Sequence, residues 1–149
     1  LAADIEDQKL DAAKSFGADR VVNSKSCDLK EAAEEFFPGG ADVVIDAVGV
    51  SALTRQAVQL AAPFGRIAVI AFDGRSMELP PVEITKKELT LVGSRMNLNR
   101  FPEVLKWMEN GTIHPEKMIT AVYPVEQIQE AFEKLAEKSG TDIKTIIRF

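Results

Sequence analysis

Gly40-Ala41-Asp42-Val43-Val44-Ile45-Asp46-Ala47-Val48-Gly49 is the stretch whose reading decides the fold. An apolar run closed by Asp46 and a glycine, with a helical pattern behind it, describes a strand buried on both faces that delivers its carboxyl end to a cleft. Open α/β sheets bind their ligands at such ends. A second strand of this kind, Arg66-Ile67-Ala68-Val69-Ile70-Ala71, follows after one helix length and must run parallel to the first, so the two make a βαβ unit.

The bulk composition fits that frame. A chain of 149 residues is one domain by size, and 46% hydrophobic with 28% charged residues is ordinary for a soluble globular protein. No apolar run approaches the roughly 20 residues a membrane span needs, so no membrane is expected. A net charge of -5 gives no electrostatic reason to bind phosphate backbones, and nucleic acid is not an expected partner. The single cysteine, Cys27, cannot form an internal bridge and suits a reducing compartment, which places the protein in the cytoplasm. One cysteine and one histidine, His114, cannot build a Cys/His zinc site within the chain. No signal peptide is visible, and the absence of an initiator methionine suggests that the natural start lies upstream of Leu1.

Outward from the central stretch, the pattern alternates. Leu1 to Asp4 reads as the end of a strand cut at the front, followed by a helix burying Ile5, Leu10, Ala13 and Phe16 and stopped by Gly17. Arg20 to Asn23 is a short strand. Leu29, Ala32, Ala33, Phe36 and Phe37 form an amphipathic helical face ended by Pro38-Gly39-Gly40. Ser51 is a plausible N-cap for a helix burying Leu53, Ala57, Leu60 and Ala61 and ending at Pro63-Phe64-Gly65. Residues 72–81, with Asp73-Gly74 and Pro80-Pro81, read as a loop, and a helical turn around residues 82–88 leads to a third strand at 89–94. Phe101, Val104, Leu105 and Met108 mark a helix begun by Pro102 and stopped by Gly111. The last helix buries Ile128, Ala131, Phe132 and Leu135, and Ile143 to Phe149 close the chain as a strand. Trp107 and Tyr123 fall on or beside helices or turns, as packing residues. Strands alternating with helices up to about residue 97 argue for a doubly wound, mostly parallel sheet.

Several residues could carry chemistry. Asp4, ending a strand before a helix, could accept the two hydroxyls of an adenosine ribose and would disfavour a 2'-phosphate, or it could simply cap the helix beginning near Glu6; position leaves both open. Lys9 could reach the same ribose or be solvated. Gly49 could let a nucleotide approach the backbone, with Ala71-Phe72-Asp73 at the same sheet edge, or make only the tight strand-to-helix turn. His114, in a turn before a proline, reads as a surface residue, Cys27 near a helix start as structural, and Asp46 as a binder of the backbone amides of the next loop. The glycine-rich phosphate loop that precedes a ribose carboxylate by about 20 residues would fall upstream of Leu1, outside these 149 residues.

The order of these motifs resembles the medium-chain, zinc-type alcohol and polyol dehydrogenases. Asp4-Ile5 with Lys9, Ala13-Lys14 and Phe16-Gly17-Ala18-Asp19 match that family's second strand and following helix, Gly40 to Gly49 its fourth strand, Gly65-Arg66-Ile67 its fifth, and Lys87-Glu88-Leu89 through Gly93-Ser94 its sixth. Gly93-Ser94-Arg95-Met96-Asn97 with Phe101-Pro102-Glu103-Val104 is similar to the polyol and sugar-acid branch of sorbitol, idonate and galactonate dehydrogenases. The resemblance implies a Rossmann-like fold lacking its first strand and glycine-rich loop, with residues 1–97 as a truncated dinucleotide-binding domain and 98–149 as a segment that returns to an absent catalytic domain. It implies that Asp4 and Lys9 contact the adenosine ribose, that Ala47 and Val48, before Gly49, flank the adenine, that Ile70, Ala71 and Phe72 with Ser94 and Met96 line the nicotinamide, and that Lys144 meets the pyrophosphate. NAD is the implied cofactor; zinc and the proton relay would belong to the missing N-terminal domain and not to this chain.

The function so implied is that of the cofactor-binding fragment of an NAD-dependent dehydrogenase oxidising a secondary alcohol of a polyol or sugar acid, inactive by itself. The alternatives are a fragment of a zinc-free, quinone-reductase-like enzyme and a non-catalytic nucleotide-binding or oligomerisation module. A missing first strand would leave two unpaired sheet edges. The chain is therefore expected to be a homo-oligomer, to be complemented by the rest of its parent, or to be locally disordered over residues 1 to about 24.

Overall fold

A computed structural model of the chain describes residues 1–72, 74–137 and 142–149. Asp73, assigned above to the loop and sheet edge, lies outside the described residues. In chain order the elements are β1 (Ala2–Asp4), α1 (Asp7–Ser15), β2 (Val21–Asn23), α2 (Leu29–Phe36), β3 (Ala41–Asp46), α3 (Ser51–Leu60), β4 (Ala61–Val69), α4 (Pro81–Thr85), β5 (Thr90–Gly93), α5 (Phe101–Glu109), β6 (Ile119–Pro124), α6 (Ile128–Ala136) and β7 (Lys144–Arg148), with 3-10 turns at Pro115–Met118 and Val125–Gln127. Three sheets result: β1 with β2, the row β3-β4-β5, and β6 with β7. The β3–β4, β4–β5 and β6–β7 pairs are parallel. Parallel strands alternating with helices are the Rossmann-like α/β pattern. Among the described residues no helix is long and apolar enough to cross a membrane.

The chain divides into two compact units, one of Leu1 with Val22–Met96, the other of Ala2–Val21 with Asn97–Phe149. In the first, α3 packs on β3 and β4. Thr54, Ala57, Val58 and Ala61 recur at i, i+3, i+4 and i+7, the spacing of a buried helical stripe, and all four are buried. Ala57, Val58, Ala61 and Ile67 form the core, with Val44, Val69, Leu79, Leu89 and Leu91 packed around it. Full burial of a side chain such as Ile67 contributes about 1.5–3 kcal/mol.

The central strand is buried on one face only, contrary to the two-sided burial expected from its composition. Side chains alternate along a strand, so Val44 and Asp46 turn to the α3 side while Val43 and Ile45 are 61% and 62% exposed. Among the described residues β3 is also the terminal strand of its row, paired with β4 and with no strand on its other side.

Two local expectations are corrected. Ser51 is the first helical residue of α3, and the N-cap position belongs to Val50, whose carbonyl takes the Leu53 and Thr54 amides at 2.7 and 3.1 Å without a side-chain cap. Pro63-Phe64-Gly65 does not separate helix from strand: β4 already begins at Ala61, which pairs with Ala41, and the register then jumps to Val43 opposite Arg66. The intervening residues form a bulge, with Phe64 at φ 63°. Gly40 lies against this segment at φ 104°, where a Cβ would come 2.6 Å from the Ala62 nitrogen, so only glycine fits.

The C-terminus of α3 is closed by a lysine from a distant part of the same unit. Lys87 Nζ donates to the carbonyls of Ala61 at 2.6 Å, Gln59 at 2.8 Å and Val58 at 3.5 Å. A cation at the negative end of the helix satisfies carbonyls that have no intrahelical donor. Burial pulls the Lys87 pKa below its ordinary value, and the positive charges of Lys86 and Lys30 add to that.

In the second unit the apolar helical faces are less covered than their spacing predicts. In α1 only Leu10 is buried, while Ile5, which precedes the helix, and Phe16, its C-cap, are about half exposed. In α6 Ala131 is buried and Ile128, Phe132 and Leu135 are exposed; in α5 Phe101, Leu105 and Met108 are exposed. A single small residue on α6 fits closely, and the larger neighbours on the same stripe remain outside that contact. Tyr123 lies inside β6, beside the 3-10 turn Val125–Gln127, with Lys134 Nζ 5.7 Å from its ring centre. Trp107 is on α5, as expected.

Lys87→Met keeps the stem and removes the charge from the end of α3, and is expected to lower the unfolding free energy by about 1–3 kcal/mol in urea titration. Ile67→Ala, which opens a cavity under α3, is expected to cost about 2–5 kcal/mol in the same measurement.

Candidate functional site

The carboxyl ends of β3, β4 and β5 lie at one edge of their sheet, and most of the residues singled out from the sequence fall there. Ala47, Val48 and Gly49 follow β3, Ile70, Ala71 and Phe72 follow β4, and Ser94 and Met96 follow β5. The three loops are tied to one another through the main chain. The Asp46 carbonyl accepts the Ile70 and Ala71 amides at 3.0 and 3.4 Å, and the Ser94 amide donates to the Val69 carbonyl at 2.9 Å. Gly49 has φ 76°, and a Cβ on it would stand 2.5 Å from the Ala71 methyl, so the β3 and β4 loops touch because this residue has no side chain.

Asp46 organises the first of these loops. Its Oδ1 accepts the Val48 and Gly49 amides, both at 3.0 Å, and its Oδ2 accepts the Thr54 hydroxyl from α3. The side chain is 6% exposed. Burial alone pushes the Asp46 carboxyl up, but the Gly49 amide, the Thr54 hydroxyl and the Val48 amide outweigh it and hold the pKa below the ordinary carboxylate value. The expectation that Asp46 binds backbone amides of the next loop describes what is found. Its partner Thr54 was not singled out, although a threonine on the otherwise apolar stripe Thr54-Ala57-Val58-Ala61 signals a buried hydroxyl that must find an acceptor.

Outward from this edge the side chains are large and apolar. Val48 is 62% exposed, Phe72 82% and Met96 78%. The Arg95 guanidinium stacks over the Phe72 ring at 4.0 Å from its centre, a cation–π contact that the spacing of the sequence did not reveal.

Asp4, Lys9 and Lys144 belong to the other unit. Asp4 Oδ1 accepts the Ile5 and Glu6 amides at 2.7 and 3.0 Å, immediately before α1, whose N-cap residue is Glu6. Lys9 reaches back to Glu6 at 2.9 Å. That hydrogen bond raises the Lys9 pKa, with the charges of Glu6 and Asp4 adding to it, against an opposing effect of burial. Lys144 begins β7, where its amide and carbonyl meet the Thr120 hydroxyl. His114 is exposed, with Nδ1 3.0 Å from Glu116, and Cys27 is exposed one residue before the Asp28 cap of α2. Among the described residues no three His, Cys, Asp or Glu side chains converge as a metal site.

The family of zinc-binding dehydrogenases matches residues 1–110. The starvation-sensing protein RspB of Escherichia coli K12 is 32% identical over 151 aligned residues, 100% of this chain and 44% of that protein. D-arabitol-phosphate dehydrogenase of Enterococcus avium is 32% identical over 93% of this chain and 40% of its own length. Among solved structures, the RspB alcohol dehydrogenase of E. coli CFT073, complexed with its cofactor NADH, superposes with a TM-score of 0.92 at 33% identity over 99% of this chain and 43% of that one. L-idonate 5-dehydrogenase of E. coli K-12 does so with a TM-score of 0.84 at 26% identity, over 99% and 42%. The chain spans less than half the length of these relatives.

Gly49→Ala is expected to force the β3 and β4 loops apart and to cost about 1–3 kcal/mol, read as a lowered thermal midpoint. Asp46 gives a pH signature. Its folded pKa lies below the unfolded value of 3.8, so its stabilising effect is complete above that pH and is lost as the pH falls from there through the folded value. The stability gap between the native chain and Asp46→Asn should therefore narrow on acidification below pH 3.8 in urea titrations repeated across pH.

Proposed function

The chain belongs to the zinc-binding dehydrogenase family, and from that premise we propose that it is the cofactor-binding part of a longer NAD-dependent dehydrogenase that oxidises a secondary alcohol of a polyol or sugar acid. The observation that carries the reading is the sheet edge where the β3 and β4 loops meet through Gly49 and Ala71, with the β5 loop bonded to the end of β4. That edge exposes Val48, Phe72 and Met96, an apolar surface suited to the rings of a dinucleotide. Relatives named as arabitol-phosphate, idonate and sorbitol dehydrogenases support the polyol and sugar-acid class.

In this reading Ala47, Val48 and Gly49 flank the adenine side, Ile70, Ala71, Phe72, Ser94 and Met96 line the nicotinamide, Asp4 and Lys9 hold the adenosine ribose, and Lys144 meets the pyrophosphate. Bound nicotinamide dinucleotide supplies the hydride acceptor. The chain's own part is to hold the ring's orientation and to cover one side of it from water. Residues 1–97 form the dinucleotide-binding portion and 98–149 the segment that returns to the N-terminal catalytic domain, which brings any zinc and the proton relay. This chain is assigned no metal ligand. The whole protein works as a homo-oligomer in the cytoplasm.

Fluorescence titration of the purified chain tests the cofactor assignment. NADH is expected to bind about tenfold or more tightly than NADPH, because the Asp4 carboxylate repels a 2'-phosphate, and Asp4→Ser is expected to remove most of that preference. Equal affinities in the native chain would contradict the assignment to NAD. The isolated chain is expected to reduce no NAD with a polyol or sugar acid; robust metal-free turnover would overturn the division of labour proposed here.

A further inference from the structure

The edge formed by the β3, β4 and β5 loops turns five of its backbone donors inward. The Val48 and Gly49 amides are taken by the Asp46 carboxylate, those of Ile70 and Ala71 by the Asp46 carbonyl, and that of Ser94 by the Val69 carbonyl. Phosphate groups are held by amides that point outward. Here five amides are engaged inside the protein, and the side chains presented outward include Val48, Phe72 and Met96. The β3 side of that surface suits the uncharged part of a ligand, a ring or its ribose, while a cation at this edge, Arg95, lies over Phe72 on the β4 and β5 side.

One buried group arranges the β3 side of this edge. The Asp46 carboxylate is nearly inaccessible, and an ionised carboxylate there persists only with its lone pairs satisfied. Two of its donors come from the loop itself, and the third, the Thr54 hydroxyl, comes from the buried stripe of α3. Thr54 thereby fixes the direction of the carboxylate, and the carboxylate fixes the loop. We propose that Asp46 and Thr54 are a positioning pair that holds residues 47–49 so that the loop meets the uncharged nucleoside portion of the dinucleotide and keeps its amides from the phosphates. This deepens the dinucleotide reading above and rests on it. Neither side chain touches the ligand; both act through the main chain of Val48 and Gly49.

The test compares NADH with adenosine, which carries ring and ribose but no phosphate, on the full chain. Affinities are read by fluorescence for NADH and by its displacement for adenosine, with circular dichroism to confirm folding. Thr54→Val removes the hydroxyl at nearly constant volume and is expected to weaken both ligands by the same factor, about tenfold, with Thr54→Ser restoring most of the loss. A loss confined to NADH would mean that the loop cradles phosphates and would overturn the proposal, as would a folded Thr54→Val with native affinity for both. If Thr54→Val does not fold, Asp46→Asn decides. It retains an oxygen for the two amides while removing the negative charge, so NADH and adenosine should shift by the same factor, whereas selective strengthening of NADH would place the phosphates at the loop and refute the proposal. A native chain that binds neither ligand would defeat the dinucleotide reading itself, before any substitution is made.

Discussion

The fit of α3 onto the parallel pair β3–β4 is the constraint on which the rest of the first unit depends. Ala57, Val58 and Ala61 bring the helix close enough for Ile67 to be fully buried beneath it. Small residues on the helix and a branched residue on the strand allow that approach, and close packing makes it unforgiving. The two ends of the helix are then fixed by polar groups: Thr54, one turn in, holds Asp46 at the end of β3, and Lys87 closes the last carbonyls. The same helix that builds the core therefore sets where the sheet edge presents its loops.

That arrangement separates two tasks which composition alone would run together. Asp46 looks, in a list of titratable residues, like a candidate acid or base. Its surroundings give it three donors and a depressed pKa, which makes it a fixed anion in the neutral range and a poor proton carrier. The surface next to it, with Val48, Phe72 and Met96, is apolar and exposed. Arg95 lies over the Phe72 ring and offers a charge beside an otherwise neutral surface.

Much of the fold was legible because strong local signals agreed. The spacing of Leu29, Ala32, Ala33, Phe36 and Phe37 marked α2, Pro102 and Gly111 bounded α5, and the apolar runs marked β3 and β5. The misreadings arise where a local signal has a second use. Pro63-Phe64-Gly65 has the residues of a turn, and a bulge within a paired strand needs the same backbone freedom. Val43 and Ile45 have the composition of a two-sided core, but burial depends on what lies across each face, which no single stretch encodes. For the candidate site, Gly49 and Ala71-Phe72 could be picked out because they end strands, whereas Ala47, Val48, Ile70, Ser94 and Met96 came only from the family resemblance. The Thr54–Asp46 bond and the Arg95–Phe72 stack could not be picked out, because they depend on how a helix and two loops face one another in space.

Each of the registered strand pairings is parallel, and that has a consequence for how the chain is made. A parallel partner cannot follow through a tight turn; it must wait for a crossover of a dozen or more residues. In the row β3-β4-β5 the strands are ordered in space as they are in the chain, so during synthesis β3 and β4 pair only after α3 has appeared between them, and β4 then waits in turn for β5. The apolar strands spend the interval uncovered, which makes the pace of elongation and the presence of chaperones part of the conditions under which this sequence reaches its fold.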